Sequence, residues 1–226
     1  MLFLSLLTHN PPLVVLRAHP HPHPQPPKTM LLLCCVLLSL AHLATAQVPF
    51  LGPCSAVSTV ENFTLSRYLG RWYEAERYFN LMEFAGKCVT NNITDTSTDN
   101  NTQLVILTKQ TSWLTDINSS MKGQMRPTDQ RGEAAKMIVR YLPMDLSVNH
   151  WILDTDYDNY AVVYSCVDIG SVLSTRNAWI LTRDRSPPLE VMEKAYSAID
   201  RNNISRAFFI RVDQSDRSCP EYAVKE

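Results

Sequence analysis

The stretch WILDTDYDNYAVVYSC, residues 151–166, reads as the arms and turn of a β-hairpin. Its apolar runs are brief and rich in β-branched and aromatic residues, the composition of half-buried strands. Between them, Asp156, Asp158 and Asn159 tolerate the backbone conformations that tight turns require. The hairpin expected is Asn149–Asp154 followed by Tyr160–Cys166. Working outward, six more runs of this kind are found: Arg71–Tyr78, Lys87–Thr94, Gln103–Thr111, Ile117–Met125, Ala134–Tyr141 and Asn177–Thr182. Closely spaced strands, mostly separated by Asp, Asn, Gly or Pro, predict an all-β fold. Eight antiparallel strands can close into an up-and-down barrel, which removes exposed edges and leaves room for one small ligand.

One segment departs from this pattern. Leu189, Met192, Tyr196 and Ile199 recur at helical spacing after Ser186-Pro187-Pro188, which reads as an N-cap followed by proline at the first helical position. Glu190 and Glu193 near its start and Arg201 near its end suit the helix dipole. The expectation is one C-terminal helix packed outside the barrel, then a last strand at Phe208–Val212.

The N-terminal 46 residues read as processing sequence. Met30 opens LLLCCVLLSLAHLATA, a short apolar core ending in Ala44-Thr45-Ala46, which fits a secretory signal peptide cut after Ala46. Half of the chain's 14 prolines lie in the upstream extension, between Pro11 and Pro27, beside His19, His21 and His23. The HPHPHP run is read as removed sequence, not as a metal site, with translation starting at Met1 or Met30. Residues 47–226 then form a single domain, exported to the extracellular space.

Cysteines and sequons agree with export. Of six cysteines, Cys34 and Cys35 leave with the leader, and Cys54, Cys88, Cys166 and Cys219 remain. An even number in an oxidising compartment implies two disulfides, and spacing leaves all three connectivities open. These cysteines are too far apart for a local zinc motif, and beyond position 46 the only histidine is His150, so neither a metal nor another cofactor is expected. Glycosylation tripeptides begin at Asn62, Asn92, Asn100, Asn118 and Asn203. Arg17 and Lys28 precede position 46 and no acidic residue does, so of 21 basic and 22 acidic residues the remainder keeps 19 and 22. With no basic cluster, a nucleic-acid partner is not expected.

Three short motifs make the fold specific. Gly70-Arg71-Trp72 follows the first retained cysteine, Thr155-Asp156-Tyr157 lies in the hairpin turn, and Arg183 closes AWILTR at 178–183. In this order and at barrel-compatible separations they resemble the three motifs of the lipocalin family. YLGRWYE, the hairpin and the PPLEVM helix start are similar to the apolipoprotein D and Lazarillo-like subfamily, over Cys54 to about Cys219. The resemblance implies a lipocalin barrel, the pairs Cys54–Cys166 and Cys88–Cys219, and a sugar on Asn92. It implies that Trp72 plugs the closed end with Arg183 across its face, a contact of order 1 kcal/mol. It also implies Trp179 as a pocket side chain. Where apolipoprotein D has an unpaired cysteine this chain has Asp168, and two aromatic positions of the subfamily are here Ile93 and His150, which points to a cargo of its own.

Strand parity supplies the rest of the candidate lining. If Cys166 faces outward, Ala161, Val163 and Ser165 face inward, and if Asn92 faces outward, Asn91 and Ile93 face inward. Ile106 with Thr108, Met137 with Val139 and Tyr141, and His150 with Ile152 share faces of their strands, and Asn177 shares the face of Trp179. Such a lining is mainly apolar with scattered polar points, and suits fatty acids, sterols, retinoids or bilin-like pigments. His150 is read as a solvated strand-end side chain. Glu74 and Glu76 share the parity of Trp72, which would bury two carboxylates unless the strand bends.

The function expected is extracellular binding and transport of a small hydrophobic ligand. The alternatives are a signalling or interaction lipocalin acting through a cell-surface receptor, and a thiol isomerase of the lipocalin type. No enzyme is expected, since paired cysteines and one histidine supply neither a free thiol nor a Ser–His–acid set. The C-terminal SCPEYAVKE has no hydrophobic tail of the kind a lipid anchor signal needs. An apolar loop from Phe79 to Phe84 is the expected contact with a lipoprotein or membrane surface.

Overall fold

The computed structural model describes residues 48–79, 85–98, 102–128, 135–143 and 145–220. The predicted leader, the sequon at Asn100 and all of the Phe79–Phe84 loop except Phe79 lie outside the described residues. Eight strands follow in the predicted order: β2 (Gly70–Tyr78), β3 (Gly86–Asp95), β4 (Leu104–Ser112), β5 (Asn118–Pro127), β6 (Lys136–Leu142), β7 (Leu146–Thr155), β8 (Tyr160–Ile169) and β9 (Leu173–Thr182). Each pairs antiparallel with the next, and β9 returns to pair with β2, so the barrel closes. Two short strands extend its seam. β1 (Val48–Leu51), which the sequence did not mark, pairs with the first half of β9, and β10 (Phe209–Arg211) pairs with the second half of β2.

One short and one long helix complete the chain. The first, α1 (Leu65–Tyr68), leads into β2. The second, α2 (Leu189–Arg201), lays Met192, Ala195, Ala198 and Ile199 over an outer core containing Leu153, Val162, Tyr164 and Ile180. The two alanines let the helix approach the sheet closely. The start of α2 differs from the expectation: Pro188 is the N-cap and Leu189 the first helical residue, while Ser186 bonds back to Asp184. Leu189 is consequently exposed and not part of the apolar stripe.

The disulfides anchor both ends of the domain to the barrel wall. Cys54 is bonded to Cys166 of β8 and Cys88 of β3 to Cys219. Cross-links spanning 112 and 131 residues restrict the unfolded chain strongly, by roughly 4–5 kcal/mol each in the chain-entropy account.

In β2 the pairing register with β9 shifts between Glu74 and Glu76, leaving Ala75 as the extra residue of a bulge. The Ala75 carbonyl accepts from Val212 N at 3.0 Å, so the bulge leaves no orphaned oxygen. Because a bulge inverts side-chain parity beyond it, Glu74 and Arg77 both face inward and Glu76 faces out, accepting a hydrogen bond from Tyr196 of α2 at 2.7 Å. The expected bend is thus present; it separates the two carboxylates, and both stay buried, Glu74 inside the barrel and Glu76 beneath α2.

Candidate ligand-binding site

One end of the barrel is closed by residues of the three motifs. Gly70 has φ +93°, a conformation that favours glycine, and a side chain there would meet Arg183 Nη1 at 3.4 Å. Trp72 is fully buried and donates from Nε1 to the Tyr68 carbonyl at 2.8 Å. The Arg183 guanidinium lies 3.6 Å from the Trp72 ring centroid. Its hydrogens go to four backbone carbonyls, those of Tyr157, Arg71, Arg67 and Leu69, at 2.7–3.1 Å. In the adjoining turn Thr155 Oγ1 donates to the Tyr160 carbonyl and accepts from Tyr157 N, and Asp156 accepts from the backbone of Asn159 and Tyr160.

Above this floor lies a narrow cavity, open at its mouth. Trp179, Tyr141, Ile106, Val163, Leu181 and Met121 give it apolar walls, and Asn91, Asn177, His150 and Glu74 give it polar points. Glu74 is held from two sides: Arg77 Nη1 donates to Oε2 at 3.2 Å and Asn91 Nδ2 to Oε1 at 3.1 Å. Thr108 Oγ1 in turn donates to Asn91 Oδ1 at 2.6 Å. A charge pair this deep is costly, and the network from β2 through β3 to β4 offsets part of that cost by bonding both carboxylate oxygens of Glu74. Gly123 of β5 is tightly packed: a Cβ there would come within 2.5 Å of Val139 and 2.8 Å of Ile106.

The structure brings Trp179, Asn177, Asn91, Ile106, Tyr141, His150 and Val163 to the cavity wall. Ile93, Val139, Ile152 and Ala161 also face inward, but they pack with Trp72 and Tyr68 in the core beneath it. Thr108 is buried behind Asn91. These five are supports of the cavity and do not line it, because parity fixes the face of a residue and not its height along the barrel. His150 is corrected as well. Only 8 % exposed, it lies within the barrel and shares a hydrogen bond with the Tyr68 hydroxyl at 3.0 Å. Burial lowers its pKa to about 4, leaving the ring neutral at pH 7.

Sequence reasoning missed Met121, Leu146, Val148 and Leu181 as lining residues. Leu146 and Val148 precede the expected start of their strand, and Leu181 shares the face of Trp179, a signal present but not used for it. The rim is apolar: Trp113, Leu114, Ile117, Leu142 and Leu146 are exposed at the ends of β4, β5, β6 and β7 that flank the mouth, as is Phe79 after β2. Four sequon asparagines, Asn62, Asn92, Asn118 and Asn203, are exposed.

Residues 69–216 match the model of the lipocalin / cytosolic fatty-acid binding protein family. Apolipoprotein D of Macaca fascicularis is 34% identical over 194 residues, covering 86% of this chain and 98% of that protein. The Lazarillo protein of Schistocerca americana is 28% identical over 169 residues, 74% of this chain and 77% of that protein. Among solved structures, insecticyanin from the tobacco hornworm Manduca sexta is similar in fold, with a TM-score of 0.67 at 22% identity, over 76% of this chain and 92% of that one.

Proposed function

The chain belongs to the lipocalin / cytosolic fatty-acid binding protein family, and we propose that it is an extracellular carrier of small hydrophobic ligands. The observation that carries this reading is the cavity: a largely apolar cup, closed below by Trp72 and Arg183 and open above at an apolar rim. Burial of an apolar ligand there is favourable by about 25 cal/mol per Å² removed from water, and the closed floor keeps water from following. Fatty acids, sterols, retinoids and bilin-like pigments are of the right chemistry. Trp179 is the central contact, with Asn177, Asn91, Ile106, Tyr141, His150 and Val163 around it.

Ligand titration followed by tryptophan fluorescence tests the reading. A panel of such ligands should include at least one giving saturable quenching that is lost in Trp179→Phe; no saturable change across the panel would sink it. The rim favours loading and unloading at a lipoprotein or membrane surface, and phosphatidylcholine vesicles should blue-shift the emission of exposed Trp113. A cell-surface receptor is the alternative partner, and a Trp113 emission unmoved by the vesicles would turn the reading toward it.

Catalysis is not proposed. All four cysteines beyond position 46 are paired, which removes the thiol an isomerase of this fold would use. Two disulfides fit an oxidising environment. We read residues 1–46 as leader, with the secreted protein beginning at Gln47, one residue before β1. N-terminal sequencing of protein from culture medium should therefore start at Gln47, and glycosidase treatment should lower its mass. A start upstream of Met30 would overturn this reading of the leader.

A further inference from the structure

Taking the carrier reading as its basis, we propose that His150 turns a hydrogen-bond donor, its Nδ1–H, into the cavity, and that the cargo is an apolar molecule held there by a neutral carbonyl oxygen. The ring is fixed from one side. Its Nε2 lies 3.0 Å from the Tyr68 hydroxyl, and Tyr68 is fully buried, beyond the reach of water. Among the described residues Nε2 is the one acceptor within reach of that hydroxyl hydrogen. Were Nε2–H the donor, the hydroxyl hydrogen would be left without a partner in the core, the costlier arrangement. The hydroxyl therefore donates, Nε2 accepts through its lone pair, and a neutral ring carries its own hydrogen on Nδ1. Burial keeps the ring neutral at pH 7.

Nδ1 is turned to where a ligand would lie. His150 lines the cavity, and its Nδ1 is neither bonded nor enclosed by any described residue. Ile152, Val163 and Trp179 are paired in a row across β7, β8 and β9, and His150 stands two residues from Ile152 toward the mouth. An apolar body resting on Val163 and Trp179 would thus carry a polar group at its upper end to Nδ1–H. A carbonyl oxygen suits that donor, since it accepts and has nothing left to donate. A ligand hydroxyl could accept as well, but its own hydrogen would then need a second partner. A carboxylate would give up its hydration where, among the described residues, no lysine or arginine lines the wall. Ketones, aldehydes and esters of apolar skeletons are the class that fits.

His150 is the only histidine beyond position 46, so the untagged, disulfide-bonded mature protein labelled with nitrogen-15 histidine gives one pair of ring nitrogens by NMR. At pH 7.4 the ring hydrogen should be found on Nδ1. Dodecan-2-one should shift the Nδ1 signal, and 2-methyldodec-1-ene, the same skeleton with a methylene in place of the oxygen, should shift it much less. By calorimetry the ketone-to-alkene affinity ratio should fall about fivefold in His150→Phe, which keeps a flat ring but no donor. Dodecanoate should bind about tenfold more weakly than the ketone. A hydrogen found on Nε2 would overturn the proposal and leave the carrier reading standing, and that measurement needs no variant to fold. So would equal shifts with ketone and alkene, a ratio unmoved by His150→Phe, or dodecanoate binding as tightly as the ketone. Failure of ketone, alkene and dodecanoate alike to bind would overturn both.

Discussion

Replacing Arg183 by alanine is expected to destabilise the barrel by about 3 kcal/mol, a value built from charged hydrogen bonds of about 1.5–3 kcal/mol each and discounted because water can reach the freed carbonyls. The guanidinium satisfies carbonyls of Arg67, Leu69 and Arg71, on the segment that enters β2, and of Tyr157, in the β7–β8 turn. It also covers the Trp72 ring, which adds about 1 kcal/mol. Its loss unties the α1 entry segment from the hairpin turn. Arg183→Lys should recover less than half of the difference, since one ammonium cannot lie flat on an indole and reach four oxygens at once. Urea unfolding of the three proteins gives the result directly. A loss below 1 kcal/mol for the alanine variant would mean that the floor is held by packing around Trp72 alone.

The second large effect is a loss of stability in acid. The folded His150 ring has a pKa of about 4, against about 6.5 in the unfolded chain, and burial is the cause. Between these values the unfolded state binds a proton that the folded state refuses, so stability is full above pH 6.5 and falls as pH drops toward 4. The whole window is worth about 3 kcal/mol, of which about 2 should be lost between pH 7 and pH 5. The ring's neighbours allow no easy relief: Tyr68 shares a hydrogen bond with it and Glu74, in the same cavity, is already bonded to Arg77 and Asn91. In His150→Gln the amide can still bond to Tyr68 without titrating. Unfolding free energies from urea titration should then differ by less than about 0.5 kcal/mol between the two pH values, beyond the change that carboxylates give both proteins. An equal slope in both would refute the assignment.

The barrel was legible in the sequence because its signals are local. The hairpin at Trp151–Cys166 has its turn chemistry in four consecutive residues, and Gly70, Trp72 and Arg183 stand in family order. Parity was equally informative where strands run regularly: Trp179, Asn177 and Val163 face the cavity as alternation requires. It failed in height. Ile93, Val139, Ile152 and Ala161 alternate correctly yet sit among the floor residues, because depth depends on barrel tilt and on how far Tyr68 and Trp72 fill the closed end. His150 was misplaced for a related reason. Its strand begins at Leu146, four residues earlier, so a residue read near a strand end is in the interior. The partners of Glu74 also escaped notice, since Arg77 and Thr108 carry no motif and meet the glutamate network only once three strands are aligned.

The bulge at Ala75 gives β2 something like two reading frames. From Gly70 to Glu74 the even-numbered side chains belong to the interior; beyond Ala75 the odd-numbered Arg77 does, and Glu76 belongs to the outer helix. Were β2 to run straight through Ala75, the frame would shift without altering the chemistry of any residue. Glu76 would enter the cavity, Arg77 would leave it, and the salt bridge of Glu74 to Arg77 would be lost together with the acceptor of Tyr196. Glu74 and Glu76 pair with successive residues of β9, Leu181 and Ile180, so the two frames are joined by one surplus residue, and a deletion of Ala75 would straighten the strand while keeping both facings.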